Sequence, residues 1–295
     1  MVAVNQTLTD KIVSTLNSCR FAIQEPLSLA VARCLYGKEY GDDCVDPLIT
    51  VYIPTYNRAE ILMDRAVPTV LAQTYENIEL LIIGDHCTDE TAELVKRNTD
   101  SRIRFYNLPH RSYRYPPTAE NHWLAGPVVA ANKGLELARG KWIARIDDDD
   151  TWVPSHLEDS LLAAQEGDYE FVSARYEEVR NGKRRIDRGV RARDPYYTRS
   201  TKPIRGENPL IGGTSTWFFR SYIRFIRYNI NCWRKKWNRV NDVDYSLRIF
   251  RAGVRMGFVP EVHAYVLPRP GEKTVGLEAY ITQEKEKEEH FKFSS

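Results

Sequence analysis

Between residues 48 and 152 the chain alternates short apolar runs with stretches of helical spacing, and this alternation restricts its fold more than any other feature. The runs read LITVYIP, IELLIIG, RIRFYN and KWIARI. Strands that are apolar throughout have to be covered on both faces, which is typical of parallel sheets flanked by helices. We therefore predict an α/β fold with a Rossmann-like, mostly parallel central sheet.

The remaining segments predict a three-part organisation. Residues 1–46 are expected to form a helical N-terminal extension with two helices, at about 8–19 and 26–36. Residues 47–270 form the main domain, and its second half, 153–270, has a mixed α+β pattern. There Asn181-Gly182 predicts a hairpin turn, and NDVDYSLRIFRAG predicts a helix that ends at Gly253. Residues 271–295 are rich in charge and predict a solvated helical tail.

Composition excludes several classes of protein. The net charge of the 295 residues is only +2, so no overall field attracts nucleic acid or an anionic membrane. The five cysteines are odd in number and lack CxxC spacing, which indicates a reducing compartment and argues against a zinc site. No signal peptide and no apolar run of membrane-spanning length is present, and we expect a cytoplasmic protein.

Four consecutive aspartates, Asp147 to Asp150, follow the apolar run KWIARI. Two unit charges about 4 Å apart repel by roughly 1 kcal/mol in water and roughly 4 kcal/mol at an effective dielectric of 20. Either water or a cation therefore has to surround them. Side chains alternate along a strand, and an Asp-x-Asp pair offers the hard oxygen ligands that Mg²⁺ and Mn²⁺ prefer. The alternative is an acidic turn that caps the helix beginning near WVPSHLEDSL.

Polar residues also stand at the ends of the first two predicted strands. The Tyr56 ring could lie against a flat base, and the Asp85 carboxylate could accept a hydrogen bond from a uracil ring N–H. Because ligands of parallel sheets bind at the carboxyl ends of the strands, these residues and the aspartates predict one site. The alternatives are a partly buried aromatic side chain for Tyr56 and a helix cap for Asp85.

Four motifs in order, ITVYIPTYNR, IELLIIGDHCTDET, NKGLELARGKWIARIDDDDTW and NDVDYSLRIFRAG, resemble glycosyltransferase family 2 over residues 48 to about 260. The resemblance implies a GT-A fold, with a nucleotide-sugar-binding half at 47–152 and an acceptor half at 153–270. It also implies transfer of a sugar from a nucleotide-diphosphate donor, with inversion at the anomeric carbon. The nucleotide-binding residues implied or suggested by position are Pro54, Thr55, Tyr56, Arg58, Asp85, Asn132, Asp147 and Asp148.

The same resemblance assigns the metal, Mn²⁺ or Mg²⁺, to Asp149 and Asp150. His263 is a further candidate ligand, although a buried strand histidine explains it equally well. Asp242 is the expected general base, since a carboxylate at a helix N-terminus stays ionised and can accept the proton of a sugar hydroxyl. Asp244 is the second candidate for this role.

Three departures from the family pattern affect these assignments. Gly84-Asp85-His86-Cys87 replaces the usual Asp-Asp-Gly-Ser, so contacts to the base can differ. Ala131 replaces an arginine before Asn132, which removes one possible contact to the donor. Asn241-Asp242 replaces the usual Glu-Asp pair and keeps only the acidic residue assigned as base.

Two further segments allow alternatives. The stretch 217–239 interleaves aromatic and basic residues, which suits a membrane surface with a lipid-linked acceptor, stacking on sugars, or simple packing in the core. The loop HRSYRYPPTAENHW could bring Arg114 or His122 to the phosphates or be an inert surface loop.

The function predicted is a hexosyltransferase that uses a UDP-sugar and a glycan or lipid-linked acceptor, with peripheral contact to the inner face of a membrane and no nucleic-acid partner. The alternatives are a nucleotidyltransferase, although PTYNRAE lacks the glycines of a phosphate loop, and a non-enzymatic binding module that uses 217–239.

Overall fold

The computed structural model describes residues 6–40, 45–191, 210–282 and 291–293. Within these ranges, nine strands form one central sheet in the order β3-β2-β1-β4-β10-β6-β11-β5, and β7 pairs with β6. A separate two-stranded sheet joins β8 and β9. The strands are β1 (Ile49–Thr55), β2 (Ile78–Gly84), β3 (Ile103–Asn107), β4 (Trp142–Arg145), β5 (Asp150–Trp152), β6 (Phe171–Arg180), β7 (Lys183–Asp187), β8 (Val190–Arg191), β9 (Leu210–Ile211), β10 (Phe218–Arg220) and β11 (Met256–Val266).

The first four strands of this order are parallel, which confirms the predicted α/β fold. Every residue of β1 and β2 is buried, as expected for strands covered on both faces. Thr55 lies opposite Gly84 in the register of these strands, so their carboxyl ends meet at one edge of the sheet. The position after each strand therefore faces the same region of the molecule.

The second half of the sheet is mixed. β10 runs antiparallel to both β4 and β6, while β6 and β11 are parallel. The β6–β7 hairpin turns at Asn181 (φ 50°) and Gly182 (φ 74°), as the sequence predicted. Residues 256–266 form a single strand, β11, with register shifts near Val262. Bulges allow a strand to bend without ending, which explains why Pro260 does not interrupt it.

The helices are α1 (Leu8–Tyr36), α2 (Ala59–Ile61), α3 (Val67–Leu71), α4 (Thr91–Arg97), α5 (Ala119–Ala125), α6 (Val128–Leu137), α7 (His156–Glu166), α8 (Asn241–Ala252) and α9 (Leu277–Thr282). A π-helical turn, Leu62–Ala66, joins α2 to α3. Short 3₁₀ turns lie at Gly37–Tyr40, Thr214–Thr216, Ser221–Phe225 and Cys232–Arg234. Gly253 (φ 88°) ends α8, as predicted.

The N-terminal extension contains one long helix, and the prediction of two was wrong. Thr7 and Asp10 form a capping box at its start. Pro26 lies inside α1, where a proline ordinarily costs about 3 kcal/mol. The neighbouring Glu25 forms a buried ion pair with Arg248 of α8, and this tertiary contact holds the helix together across the proline.

The segment 217–239 packs mainly into the core. Trp217, Phe218 and Phe219 are buried, and Phe218 stacks on Trp142 with ring centroids 4.9 Å apart. The aromatic side chains of residues 217–219 are therefore unavailable to a membrane or a nucleic acid, which argues against the binding-module alternative. Among the described residues, no helix combines the length and the apolar character needed to cross a bilayer.

Candidate active site

An open cavity of about 250 Å³ lies at the carboxyl edge of the parallel strands. It gathers residues that follow β1, β2 and β4 together with the start of α8 and the segment after β11. Most of the residues predicted from sequence line it: Pro54, Thr55, Tyr56, Arg58, Asp85, Asp147, Asp148, Asp149, Asp150 and Asp242. The strand-end argument thus brings the expected donor residues and the expected base into one place.

One end of the cavity contains Asp85, which is buried and paired with two arginines. Arg114 donates hydrogen bonds to both carboxylate oxygens at 2.7 Å, and Arg111 Nε donates to Oδ2 at 3.0 Å. The Arg111 guanidinium also lies over the Tyr56 ring, 4.0 Å from its centroid. One face of the Tyr56 ring is therefore covered by an arginine, which a base stacked on that face would have to displace.

The four aspartates alternate in exposure, although they form a turn, closed by a hydrogen bond from Asp150 N–H to Asp147 O at 3.2 Å, and not the extended strand end that the sequence predicted. Asp148 and Asp150 are 3% and 4% exposed, whereas the side chains of Asp147 and Asp149 are 38% and 22% exposed. Asp148 accepts hydrogen bonds from Thr55 Oγ1 at 2.7 Å and from Arg58 Nη1 at 2.8 Å. All four aspartates line the cavity, and the carboxylates with the greatest exposure are those of Asp147 and Asp149.

Arginines offset the repulsion within this acidic run. Arg145 forms an ion pair with Asp147 at 2.9 Å, and Arg269 lies 3.9 Å from Asp149. Burial and the neighbouring carboxylates still raise the pKa of Asp150 well above its ordinary value. Its carboxylate accepts a hydrogen bond from Ser215 Oγ. An added cation would relieve the remaining repulsion.

Asp242 lies in the first turn of α8 and faces the same cavity. Its carboxylate accepts hydrogen bonds from the Val243 backbone N–H at 2.7 Å and from Thr214 Oγ1 at 3.2 Å. Burial raises the pKa of Asp242 above its ordinary value. A raised pKa makes the ionised carboxylate a stronger base.

Three predicted residues do not line the cavity. The Asn132 side chain donates to and accepts from the Tyr228 backbone, at 2.9 and 2.7 Å. Asp244 is bound by Lys235 and Arg248 on the other side of α8. His263 is buried with its Nδ1 3.2 Å from the Nδ1 of His156. Each of these side chains has a structural partner away from the cavity.

Sequence reasoning missed several residues of the cavity wall. Arg145 gave a signal, because a charged residue inside an apolar strand is unusual. Its Nη1 and the Oδ1 of Asn241 are buried without a hydrogen-bond partner among the described residues. Arg114 and His122 of the predicted loop do reach the site, and His122 also contacts the Tyr115 hydroxyl at 3.1 Å.

The C-terminal tail contributes residues to the site that the sequence did not predict. Tyr280 of α9 accepts hydrogen bonds from Arg58 at 2.8 Å and from Arg269 at 3.1 Å. Phe291 is 1% exposed, and Phe293 lies against Arg111 with 4.7 Å between guanidinium and ring centroid. These described parts of the tail pack on the cavity wall, so the prediction of a solvated tail was wrong for them. Their contacts are with residues far away in the chain, which a local pattern cannot reveal.

The residues present fit a hard divalent cation. Such an ion in a nucleotide site is commonly held by one or two carboxylates together with the phosphates of the substrate. Asp147 and Asp149 are two partly exposed carboxylates on the wall of one cavity. Among the described residues no group of three His, Cys, Asp or Glu could hold a metal ion.

The sheet order and the acidic cavity define an α/β protein of the GT-A type. The chain belongs to glycosyl transferase family 2, whose model matches residues 50–227.

Curated relatives match this region. The Escherichia coli protein "UDP-Glc:alpha-D-GlcNAc-diphosphoundecaprenol beta-1,3-glucosyltransferase WfgD" is 32% identical over 136 residues, which is 46% of this chain and 48% of WfgD. The "putative teichuronic acid biosynthesis glycosyltransferase TuaG" of Bacillus subtilis is 33% identical over 117 residues, or 39% of this chain and 41% of TuaG. The chain thus spans half or less of the length of these relatives.

Solved structures support the fold. Staphylococcus aureus TarS 1–349 in complex with UDP-GlcNAc aligns with a TM-score of 0.56 and 17% identity, over 76% of this chain and 60% of the other. The mannosyltransferase PcManGT from Pyrobaculum calidifontis, in complex with GDP-Man and Mn²⁺, aligns with a TM-score of 0.51 and 18% identity, over 85% and 69%. At this identity the likeness concerns the fold alone.

Proposed function

We propose that the protein transfers a hexose from a nucleotide-diphosphate donor, in the first instance a UDP-sugar, to a hydroxyl group of a glycan or lipid-linked acceptor with inversion. The proposal rests on one observation: the acidic run after β4 and Asp242 of α8 line the same cavity. In this proposal residues 47–152 bind the donor and residues 153–270 bind the acceptor.

The donor fits the arrangement of charge. A nucleotide base would enter beside Tyr56 and Asp85 after Arg111 has moved aside. The diphosphate would then lie towards the acidic run, where Arg58, Arg145 and Arg269 provide cationic side chains. Arginine is well suited to this role, because its planar guanidinium matches the oxygen geometry of a phosphate.

We assign a divalent ion, Mn²⁺ or Mg²⁺, to Asp149, with Asp147 as the second exposed carboxylate and Asp150 behind them. When bound, such an ion supplies Lewis acidity that neutralises the charge growing on the departing diphosphate. The relative PcManGT was solved with GDP-Man and Mn²⁺, which supports the choice of metal.

Asp242 is proposed as the general base. It would accept the proton of the acceptor hydroxyl while that oxygen forms a bond to the anomeric carbon. The bond from the anomeric carbon to the diphosphate breaks in the same step, and the nucleoside diphosphate leaves with its electron pair. Attack from the side opposite the leaving group inverts the configuration of the sugar.

The acceptor class is supported by the relatives. The name of WfgD specifies a sugar attached to diphosphoundecaprenol, a lipid carrier. A carrier of this type would bring the reaction to a membrane surface, and a glycan acceptor would not.

Calorimetry with UDP, with and without Mn²⁺, tests the donor site, and a screen of nucleotide sugars for hydrolysis identifies the sugar. We expect UDP to bind more tightly with the metal and one donor to be hydrolysed above the others. UDP binding that is absent or independent of metal would contradict the assignment of the metal ion to the acidic run. Preference for another nucleotide would contradict the choice of uracil as the nucleobase.

A further inference from the structure

The face of α1 that points away from the domain is apolar and regularly spaced. Its residues recur at intervals of four, four and three, and all of them are exposed: Leu8, Ile12, Leu16, Cys19, Ile23, Leu27, Ala30 and Cys34. We call this set the α1 stripe. The opposite face of the helix packs on the protein through Glu25, Leu29 and Ala32. α1 therefore has two apolar faces. The face with Leu29 and Ala32 is covered by the rest of the chain, and the α1 stripe is exposed.

The spacing indicates a helix as the partner. Three apolar positions in each eleven residues correspond to 3.67 residues per turn, close to the 3.6 of a straight helix. The stripe therefore runs along the whole length of α1 instead of winding around it. A helix of 29 residues is about 43 Å long, so a second straight helix could pack against the stripe from end to end.

The size of the stripe suits a pair of identical chains. Its large side chains are between 51% and 74% exposed, and the stripe as a whole leaves on the order of 700 Å² of surface exposed per copy. A stable interface buries roughly 800 Å² per partner. Pairing two stripes would thus approach the area of a stable dimer.

The charges on α1 argue against a lipid surface. A helix that lies in a membrane interface usually has a polar face rich in lysine and arginine, which contacts the headgroups. Along α1, every residue of which is described, the exposed charged side chains are Lys11 and Arg20. The side of α1 opposite the stripe is packed on the domain and cannot contact headgroups.

We propose that α1 is a dimerisation helix, and that the α1 stripe pairs with the α1 stripe of a second copy. The mass of the full-length chain in solution tests this. Light scattering after size exclusion should give twice 34.2 kDa for the wild type, with dissociation on dilution. The double variant Leu16→Glu/Ile23→Glu should give a monomer, because each charge would be buried without a partner in the pair. Circular dichroism and thermal melting check that this variant is folded.

A matched control has the same change of charge at exposed apolar residues elsewhere. Leu162 and Ile186 are 52% and 49% exposed and lie on α7 and β7. Leu162→Glu/Ile186→Glu should remain a dimer. A wild-type monomer at every concentration overturns the proposal, as does a control variant that dissociates like the stripe variant.

The two exposed cysteines of the stripe give a second readout. Diamide oxidises two thiols to a disulfide when their Cα atoms approach within about 7 Å. A parallel pair should link Cys19 to Cys19 and Cys34 to Cys34, as peptide mass spectrometry can show. An antiparallel pair in full overlap places Cys19 opposite Ile23 and should form no link. A dimer that persists in Leu16→Glu/Ile23→Glu overturns the pairing. So does a monomer that sediments with phosphatidylglycerol vesicles through the stripe, since the occupant would then be lipid.

Discussion

Replacing Asp242 by asparagine tests the proposed base directly. Asparagine has nearly the same shape: its Oδ1 can still accept the hydrogen bond of Val243 N–H, and its amide N–H can donate to Thr214 Oγ1, where the carboxylate accepted. The side chain can no longer accept a proton from an acceptor hydroxyl. We therefore expect folding and UDP binding to persist while turnover falls.

The expected loss follows from the chemistry of the group. General base catalysis contributes about 10²- to 10⁴-fold in rate, which corresponds to about 2.7 to 5.5 kcal/mol of activation free energy. Burial raises the pKa of Asp242, so its ionised form is lost on acidification at a higher pH than for an ordinary aspartate. The wild-type rate should decrease as the pH falls through that raised pKa, and the residual rate of Asp242→Asn should lack this decrease.

The assay is release of UDP from the donor that the screen identifies, with UDP affinity measured separately by calorimetry. Asp244→Asn is the matched control, because it makes the same change two positions away, on the side of α8 that contacts Lys235 and Arg248. Its effect should be on stability, with turnover retained in the folded protein. Wild-type turnover in Asp242→Asn, or loss of turnover only in Asp244→Asn, would refute the assignment.

Three further changes have defined outcomes. Asp149→Asn should abolish the effect of Mn²⁺ on UDP affinity in calorimetry, whereas the control Asp64→Asn, at an exposed residue, should leave it intact. If the metal effect persists in Asp149→Asn, the ion binds elsewhere. Arg248→Met leaves buried Glu25 and Asp244 without their shared cation and should cost about 3 to 5 kcal/mol in denaturant unfolding, while Arg251→Met, which is exposed, should stay within about 0.5 kcal/mol. Burial lowers the pKa of His156 in the folded protein, so the neutral side chain contributes stability that is complete above pH 6.5 and is lost as the pH falls below it. The pH dependence of the unfolding free energy should therefore be weaker in His156→Phe and unchanged in His110→Phe, whose histidine is exposed.

Local patterns predicted the parts of the fold that depend on local periodicity. The apolar runs gave the parallel strands, whereas the four aspartates, expected to continue a strand, form a turn between β4 and β5. The cavity followed from the rule that parallel strands end at one edge. Pro26 shows the limit of such reasoning, because the helix around it continues through a buried ion pair to α8 that no local pattern contains.

The site was predicted in part for the same reason. Residues at strand ends could be located from the sequence, whereas Arg269, Tyr280 and Phe291 reach the cavity through contacts between distant parts of the chain. His263 stands on β11, yet its place relative to the cavity depends on the bulges of that strand and on its partner His156.

The reversed strand β10 has a consequence for how this architecture can diversify. Because β10 runs against β4, its beginning meets the end of β4, and the turn before it brings Thr214 to Asp242 and Ser215 to Asp150. The separation between Asp242 and the acidic run is thus set by the hydrogen bonds that pair β10 with β4, instead of by a flexible hinge. Surface segments around the rim can be exchanged, lengthened or reshaped for new acceptors while the separation of the reacting groups is inherited unchanged.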